Sequence, residues 1–292
     1  MKQKNDAIFQ AIVYILTGLI CLITIYPLIY VISASLSDPA RILGGDVVLW
    51  PVDITLNAYK RVFSSSDILT GYRNTVIYTF FGTIVNMFFT IICAYPLSLP
   101  DLKGKNGITI FITFTMFFGA GMIPEYLNIK SLGLLNNPLV LIIPGAISVT
   151  NMLIMRNYFI NSVPAALREA ADIDGASPLA TMTRIVLPLS KSILIVIILY
   201  YMVGHWNSYF SAMMYLRDRK MQPLQVFLRE ILVLTQMGDL EEQSGIDDLS
   251  VYLLYASLKY AIIVVSAVPL LILYPMVQKF FERGIMMGSL KG

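Results

Sequence analysis

Charge is scarce in this sequence. Only 13% of its 292 residues are Asp, Glu, Lys or Arg, against about 25% in an average soluble domain. That excludes an ordinary water-soluble fold. The net charge of +3 is too small to mark a nucleic-acid binder. Histidine occurs once, at His205, and no His/Cys/Asp/Glu cluster has metal-ligand spacing, so no metal site is expected. The two cysteines, Cys21 and Cys93, fall inside apolar runs and read as small buried hydrophobes rather than a disulfide. No Gly-x-x-x-x-Gly-Lys-Ser/Thr run occurs, so the chain has no P-loop for ATP. A catalytic Ser–His pair would have to use His205, and no Gly-x-Ser-x-Gly elbow accompanies it.

What remains is apolar. Hydrophobic residues make up 57% and the mean hydropathy is +0.72. Six runs carry no Asp, Glu, Lys or Arg: 7–37, 74–100, 106–124, 131–155, 192–216 and 260–278. Each can supply the roughly 17–25 residues of a membrane helix. The fold class predicted is an all-α membrane protein with six transmembrane helices and both termini on one side. The opening MKQKNDAIFQ resembles the basic start of a signal sequence. The uncharged run behind it is too long for a signal core and reads as a retained first helix.

Charge placement orients the spans. If the termini, 99–107 and the 157–191 loop are cytoplasmic, those regions and their edges hold 11 of the 21 Lys and Arg but 6 of the 18 acids. The positive-inside rule favours that arrangement. Pro124 and Pro144 are read as interrupting helical segments at membrane depth. Outside the membrane, Trp50 suits an interface. Leu224, Phe227, Leu228, Ile231 and Leu232 repeat as one face of an amphipathic helix. Acidic residues from Asp239 to Asp248 follow, a solvated loop or a docking surface.

The stretch 161–191 stands apart. It is mostly polar and reads as two short helices. Pro164 suits a first turn, the run 165–171 is made of strong helix formers, and Gly175 sits where a left-handed C′ residue is wanted. Ser177-Pro178 restarts a helix, and Pro188 ends it. Glu169-Ala170-Ala171, three residues, Gly175, nine residues, then Ile185-Val186-Leu187-Pro188 match without a gap the EAA loop of permease subunits of ATP-driven importers. Ser131–Asn136, Ile143–Ala146, Met155-Arg156-Asn157 and Gly288–Gly292 resemble the carbohydrate branch of that family, which includes maltose-type and complex-oligosaccharide permeases.

The resemblance covers essentially the whole chain. It implies a single permease domain, 1–292, of the type I importer fold, with core helices at about 70–281. It implies a bacterial cytoplasmic membrane location with cytoplasmic termini. The partners would be a second, different permease chain against the first helix, two ATPase subunits that bind ATP and Mg, and an extracytoplasmic solute-binding protein. The cargo would be a sugar. Leu167, Glu169, Ala170, Ala171, Asp172, Gly175, Ile185, Leu187 and Pro188 would couple to the ATPase, and the closing residues would reach it as well. Apart from the resemblance, span five holds a polar and aromatic cluster. Tyr201, Trp206, Asn207 and Tyr209 are candidates to line a sugar path, or else to pack between helices. No residue is expected to be catalytic. The rival readings are an intramembrane enzyme built on His205 and an ion-coupled transporter, for which the membrane holds little charge.

Overall fold

The computed structural model describes residues 2–242 and 249–289. Among them every regular element is helical. In chain order the α-helices are α1 Lys2–Ser35, α2 Pro39–Leu43, α3 Asn57–Ser64, α4 Ser66–Ser98, α5 Lys105–Phe117, α6 Met122–Ser131, α7 Val149–Ser162, α8 Ala165–Ile173, α9 Pro178–Thr181, α10 Leu187–Leu189, α11 Lys191–Trp206, α12 Phe210–Tyr215, α13 Leu224–Glu242 and α14 Leu249–Ser289. The chain folds as two compact units. One is Met1–Leu69 with Phe227–Pro269, and the other is Thr70–Val226 with Leu270–Gly292.

Among the described residues, three stretches are long and apolar enough to cross a membrane: Phe9–Ser35, Ser66–Ser98 and Tyr255–Pro275. Two bent pairs raise the number to five if each is one span: α5 with α6, bent by 113°, and Pro178–Leu189 with α11, bent by 85°. The apolar run 131–155 is not one helix. It breaks into a 3-10 turn, Pro138–Leu141, and the start of α7. Pro144 lies in the irregular stretch between them, as its missing N–H predicts. Pro124 does not interrupt a helix. The break falls earlier, at Phe118–Gly121, and Pro124 is the third residue of α6, where an N–H has no partner to miss.

In the first unit, residues 9–29 of the Phe9–Ser35 span are all exposed, and burial begins only at its end, with Ser33, Ala34 and Ser35. Cys21 is exposed there rather than buried, because it lies within the fully exposed 9–29 stretch; Cys93 is half-buried. Beyond α1 the chain doubles back. Ser33 Oγ donates to the Leu49 carbonyl at 2.6 Å, and the Val52 N–H donates to Ser37 Oγ at 3.0 Å. The Thr55 N–H reaches the Leu36 carbonyl at 2.8 Å. Ala34, Ile42 and Val47 form a small core with Tyr30, Val52 and Tyr260.

In the second unit one core joins three elements. It takes Ala94, Tyr95 and Leu97 from the end of α4, Met152, Met155 and Phe159 from α7, and Ile193, Ile197 and Tyr201 from α11. A second cluster holds Ile129, Val140, Ala212, Tyr215, Leu216 and Val226. Asn136, at φ 55, stitches the 131–136 segment to this cluster. Its N–H donates to the Tyr215 carbonyl at 2.8 Å, and its Oδ1 accepts from the Arg217 and Asp218 N–H groups at 2.9 Å. The predicted amphipathic helix is present as α13, which begins in this unit with Leu224 and Val226 buried and continues into the first unit, where Phe227 is buried. Of the acidic stretch that follows, Asp247 and Asp248 lie outside the described residues, as do Leu290–Gly292 at the end of the chain.

Candidate functional site

The loop between α7 and α11 forms as its residue types dictate. Pro164 caps α8 in an extended conformation. At the other end the Ala176 N–H donates to the Ala171 carbonyl at 2.9 Å and the Gly175 N–H to the Asp172 carbonyl at 3.1 Å. This pair of bonds is the Schellman closure, and it needs a left-handed residue. Gly175 provides it at φ +72. Ser177 Oγ then accepts from the Ala180 N–H at 3.3 Å and Pro178 opens α9.

Pro188 acts one turn upstream of itself. It has no N–H for the Arg184 carbonyl and its ring crowds that group. The chain responds with a wide turn over Met182–Val186, in which the Leu187 N–H donates to the Met182 carbonyl five residues back. The helix ends at Leu189, and the chain bends into α11 at Ser190.

The loop is braced from behind. The Arg168 guanidinium donates from Nη2 to the Phe159 carbonyl, one of the four carbonyls left open at the end of α7. A cation at a helix C-terminus is favourable in addition. Arg156 Nε does the same for Leu97, near the end of α4, at 2.8 Å. Lys105 Nζ donates to the Leu99 and Pro100 carbonyls at 3.1 and 2.9 Å. These three cations thus tie down helix ends. Ala171 is buried, while Met182 and Val186 enter the α4–α7–α11 core with Leu187 packed on its edge.

The opposite side of the loop is open. Leu167, Glu169, Ala170, Asp172, Gly175 and Pro188 are exposed, and Ile185 is half-buried. Ile173 is 86% exposed and Leu179 66%. Large apolar side chains on a stiff, solvent-facing helix mark a surface made to be covered.

Span five divides in two. Tyr201 is buried, and its hydroxyl sits 2.7 Å from Thr90 Oγ1 on α4 and accepts from the Ser148 N–H at 3.0 Å. One turn on, His205 Nε2 meets Asn86 Oδ1 at 2.5 Å. Asn86 Nδ2 donates to the Gly145 carbonyl at 2.6 Å, so its oxygen accepts and His205 donates. These are two parallel polar rungs, each joining α4, α11 and the 145–148 segment. The His205 ring lies so close to α4 that a Cβ at Gly82 would stand 2.5 Å from it. Trp206 is buried edge-on to the Tyr72 ring at 5.8 Å.

Asn207 and Tyr209 lie instead at the break after α11, and both are exposed. Asn207 Nδ2 donates to the Val203 carbonyl at 3.0 Å. The structure therefore places Tyr201 and Trp206 in helix packing and leaves Asn207 and Tyr209 open. Asn86, Thr90 and Ser148 were not singled out by the sequence reading. The signal for Asn86 and Thr90 was the row Thr75, Thr79, Thr83, Asn86 and Thr90, polar at helical spacing inside an otherwise apolar run; Ser148 carried none.

Three comparisons bear on this arrangement. The family model for a binding-protein-dependent transport system inner membrane component matches residues 3–287. A polygalacturonan/rhamnogalacturonan transport system permease protein, YtcP of Bacillus subtilis, is 38% identical over 291 residues, 99% of this chain and 100% of the relative. An arabinooligosaccharides transport system permease protein, AraQ of Halalkalibacterium halodurans, is 25% identical over 297 residues, covering 100% of both. Among solved structures, a chain of a bacterial ABC transporter involved in the import of the acidic polysaccharide alginate matches with a TM-score of 0.84 and 38% identity. That match covers 95% of this chain and 98% of the other.

Proposed function

The chain belongs to the family of binding-protein-dependent transport system inner membrane components, and we infer that its Ala165–Leu189 loop receives the stroke of a separate ATPase. It is a multi-pass membrane subunit of an ATP-binding-cassette importer for carbohydrate, and the family is not itself an enzyme. An oligosaccharide is the cargo that the named relatives support, since they serve polygalacturonan, rhamnogalacturonan and arabinooligosaccharides.

The chain crosses the membrane six times as one permease domain, with its termini and the loop in the cytoplasm. Five crossings are the long helices and bent pairs, and the sixth is the broken segment that ends in α7. A second permease lies against α1, two ATPase subunits with ATP and Mg sit below, and a solute-binding protein docks outside.

The single observation that carries the coupling role is the two-sided loop. Its back is fixed by Arg168, Met182 and Val186, and its front exposes Glu169, Ile173 and Leu179. Closure of the ATPase pulls on the front. The wide turn and the Ser190 bend pass that displacement to α11, and the two rungs oblige α4 and the 145–148 segment to follow. Alternating access of this kind needs two states with different contacts in each, and the loop supplies the element they share. Asn207 and Tyr209, open at the break in span five, face the sugar. Tyr201 and Trp206 hold that wall in place.

The test is co-purification with the partner permease and ATPase, followed by ATP hydrolysis with and without binding protein. Glu169→Lys and Gly175→Asp should lose the ATPase or lose stimulation by the binding protein. Wild-type assembly and stimulation in both variants would remove the loop from the mechanism and favour a transporter independent of ATP.

A further inference from the structure

We propose that the extracytoplasmic segment 46–56 is a membrane anchor whose partner is the lipid surface, with Trp50 seated among the headgroups. The proposal rests on reading the chain as a membrane permease and adds a site to it. Trp50 is 80% exposed, and Val48, Leu49, Ile54 and Leu56 are exposed around it. Five open apolar side chains on one short segment need a cover.

Their depth identifies it. Leu49 hangs by its carbonyl from Ser33, within the last turn of the Phe9–Ser35 span. Val52, two residues beyond Trp50, is hydrogen-bonded to Ser37. The segment therefore lies alongside the end of a span rather than out in solution.

The neighbours have the composition of a membrane boundary. Tyr30 meets the Tyr260 ring edge-on at 5.8 Å, and Lys259 Nζ stands 5.0 Å over the same ring. Tyr260 lies near the start of the Tyr255–Pro275 span. Tyr and Trp gather at this level because their rings prefer the interior and their polar atoms prefer water, and lysine extends from it. Val47 and Val52, which flank Trp50, belong to the same small core as Tyr30 and Tyr260. The two charges of the segment, Asp46 and Asp53, are both taken up by Arg41 of α2, at 3.2 and 2.7 Å. The apolar side is left uncharged, as a lipid surface requires and a polar docking protein does not.

The experiment uses the assembled transporter in nanodiscs of ordinary or brominated phosphatidylcholine. Tryptophan emission of wild type minus that of Trp50→Phe isolates the Trp50 signal, and the same difference for Trp206→Phe isolates a buried reference. The Trp50 signal should fall at least twofold in brominated lipid and resist iodide, while the Trp206 signal ignores both. A Trp50 signal quenched by iodide and blind to bromine would place the residue in water. Blindness to both would mean that a protein, either the second permease or the binding protein, covers it. Either result overturns the proposal. Stimulation of ATP hydrolysis by the binding protein, measured on the same discs, reports the permease reading separately.

Discussion

Two loops on this chain expose large apolar residues, and they do so on different foundations. The 165–189 loop presents Ile173 and Leu179 from short helices closed by backbone capping and bolted by Arg168 to the end of α7. The 46–56 segment presents Trp50 and Ile54 from irregular chain, strapped by serine hydroxyls to the span it follows. The first is a rigid piece with a defined shape, suited to a groove in another protein. The second fixes only depth, which is all that a fluid surface can read. The meaning of an exposed apolar residue thus lies in what holds the backbone behind it.

The largest expected effect separates the two fronts. Glu169→Lys should cut binding-protein-stimulated ATP hydrolysis roughly tenfold to hundredfold, the value of one charge-assisted hydrogen bond. Trp50→Ser should leave that rate close to wild type. Equal losses from both would erase the distinction.

Next come the two foundations. Arg168→Gln removes the cation from the Phe159 carbonyl and should cost about 1.5–3 kcal/mol in the stability of the loop. Protease nicking within 161–191 should rise accordingly. Ser33→Ala removes a neutral bond worth about 1 kcal/mol and should leave nicking of that loop unchanged.

A finer comparison uses the same substitution twice. Gly175 and Gly45 have φ of +72 and +76, and a Cβ at either would meet open space. Alanine at each pays only the left-handed strain, about 1–2 kcal/mol, so the two melting temperatures should drop alike. Only Gly175→Ala should also weaken coupling to the ATPase. The smallest effect belongs to Arg41→Gln. Asp53 and Asp46 raise the pKa of this guanidinium, so it stays charged through the whole working range. The contact is nonetheless fully exposed, and exposed pairs contribute little. No measurable change in melting temperature is expected, at low or high salt.

Much of the 165–189 loop was legible in the sequence because its structure is local. Gly175 at the C′ position and Ser177-Pro178 at the restart are decided by residues within a few positions of each other, and helix 164–174 is found as Ala165–Ile173. The 131–155 run was misleading for the opposite reason. Apolarity reports the surroundings of a segment and not its backbone path, so a broken segment and a straight helix look alike until Pro138 and Pro144 are placed. Pro124 misled because its effect depends on its distance from a helix start, and that start is set by the break at Phe118–Gly121. The rungs were out of reach because they join Asn86 to His205 and Thr90 to Tyr201 across more than a hundred residues. Spacing marked a polar row on α4 but could not name its partners.

The bond from the Ser148 amide to the Tyr201 hydroxyl has a kinetic consequence. Ser148 is the residue before the first turn of α7, where a backbone N–H has no carbonyl of its own helix to hold it. Its proton is retained only while the tyrosine stays in place. Exchange of that one amide with deuterated solvent is therefore a clock for the opening of the rung. Its rate should quicken whenever the transporter turns over and slow when the complex is locked in one state.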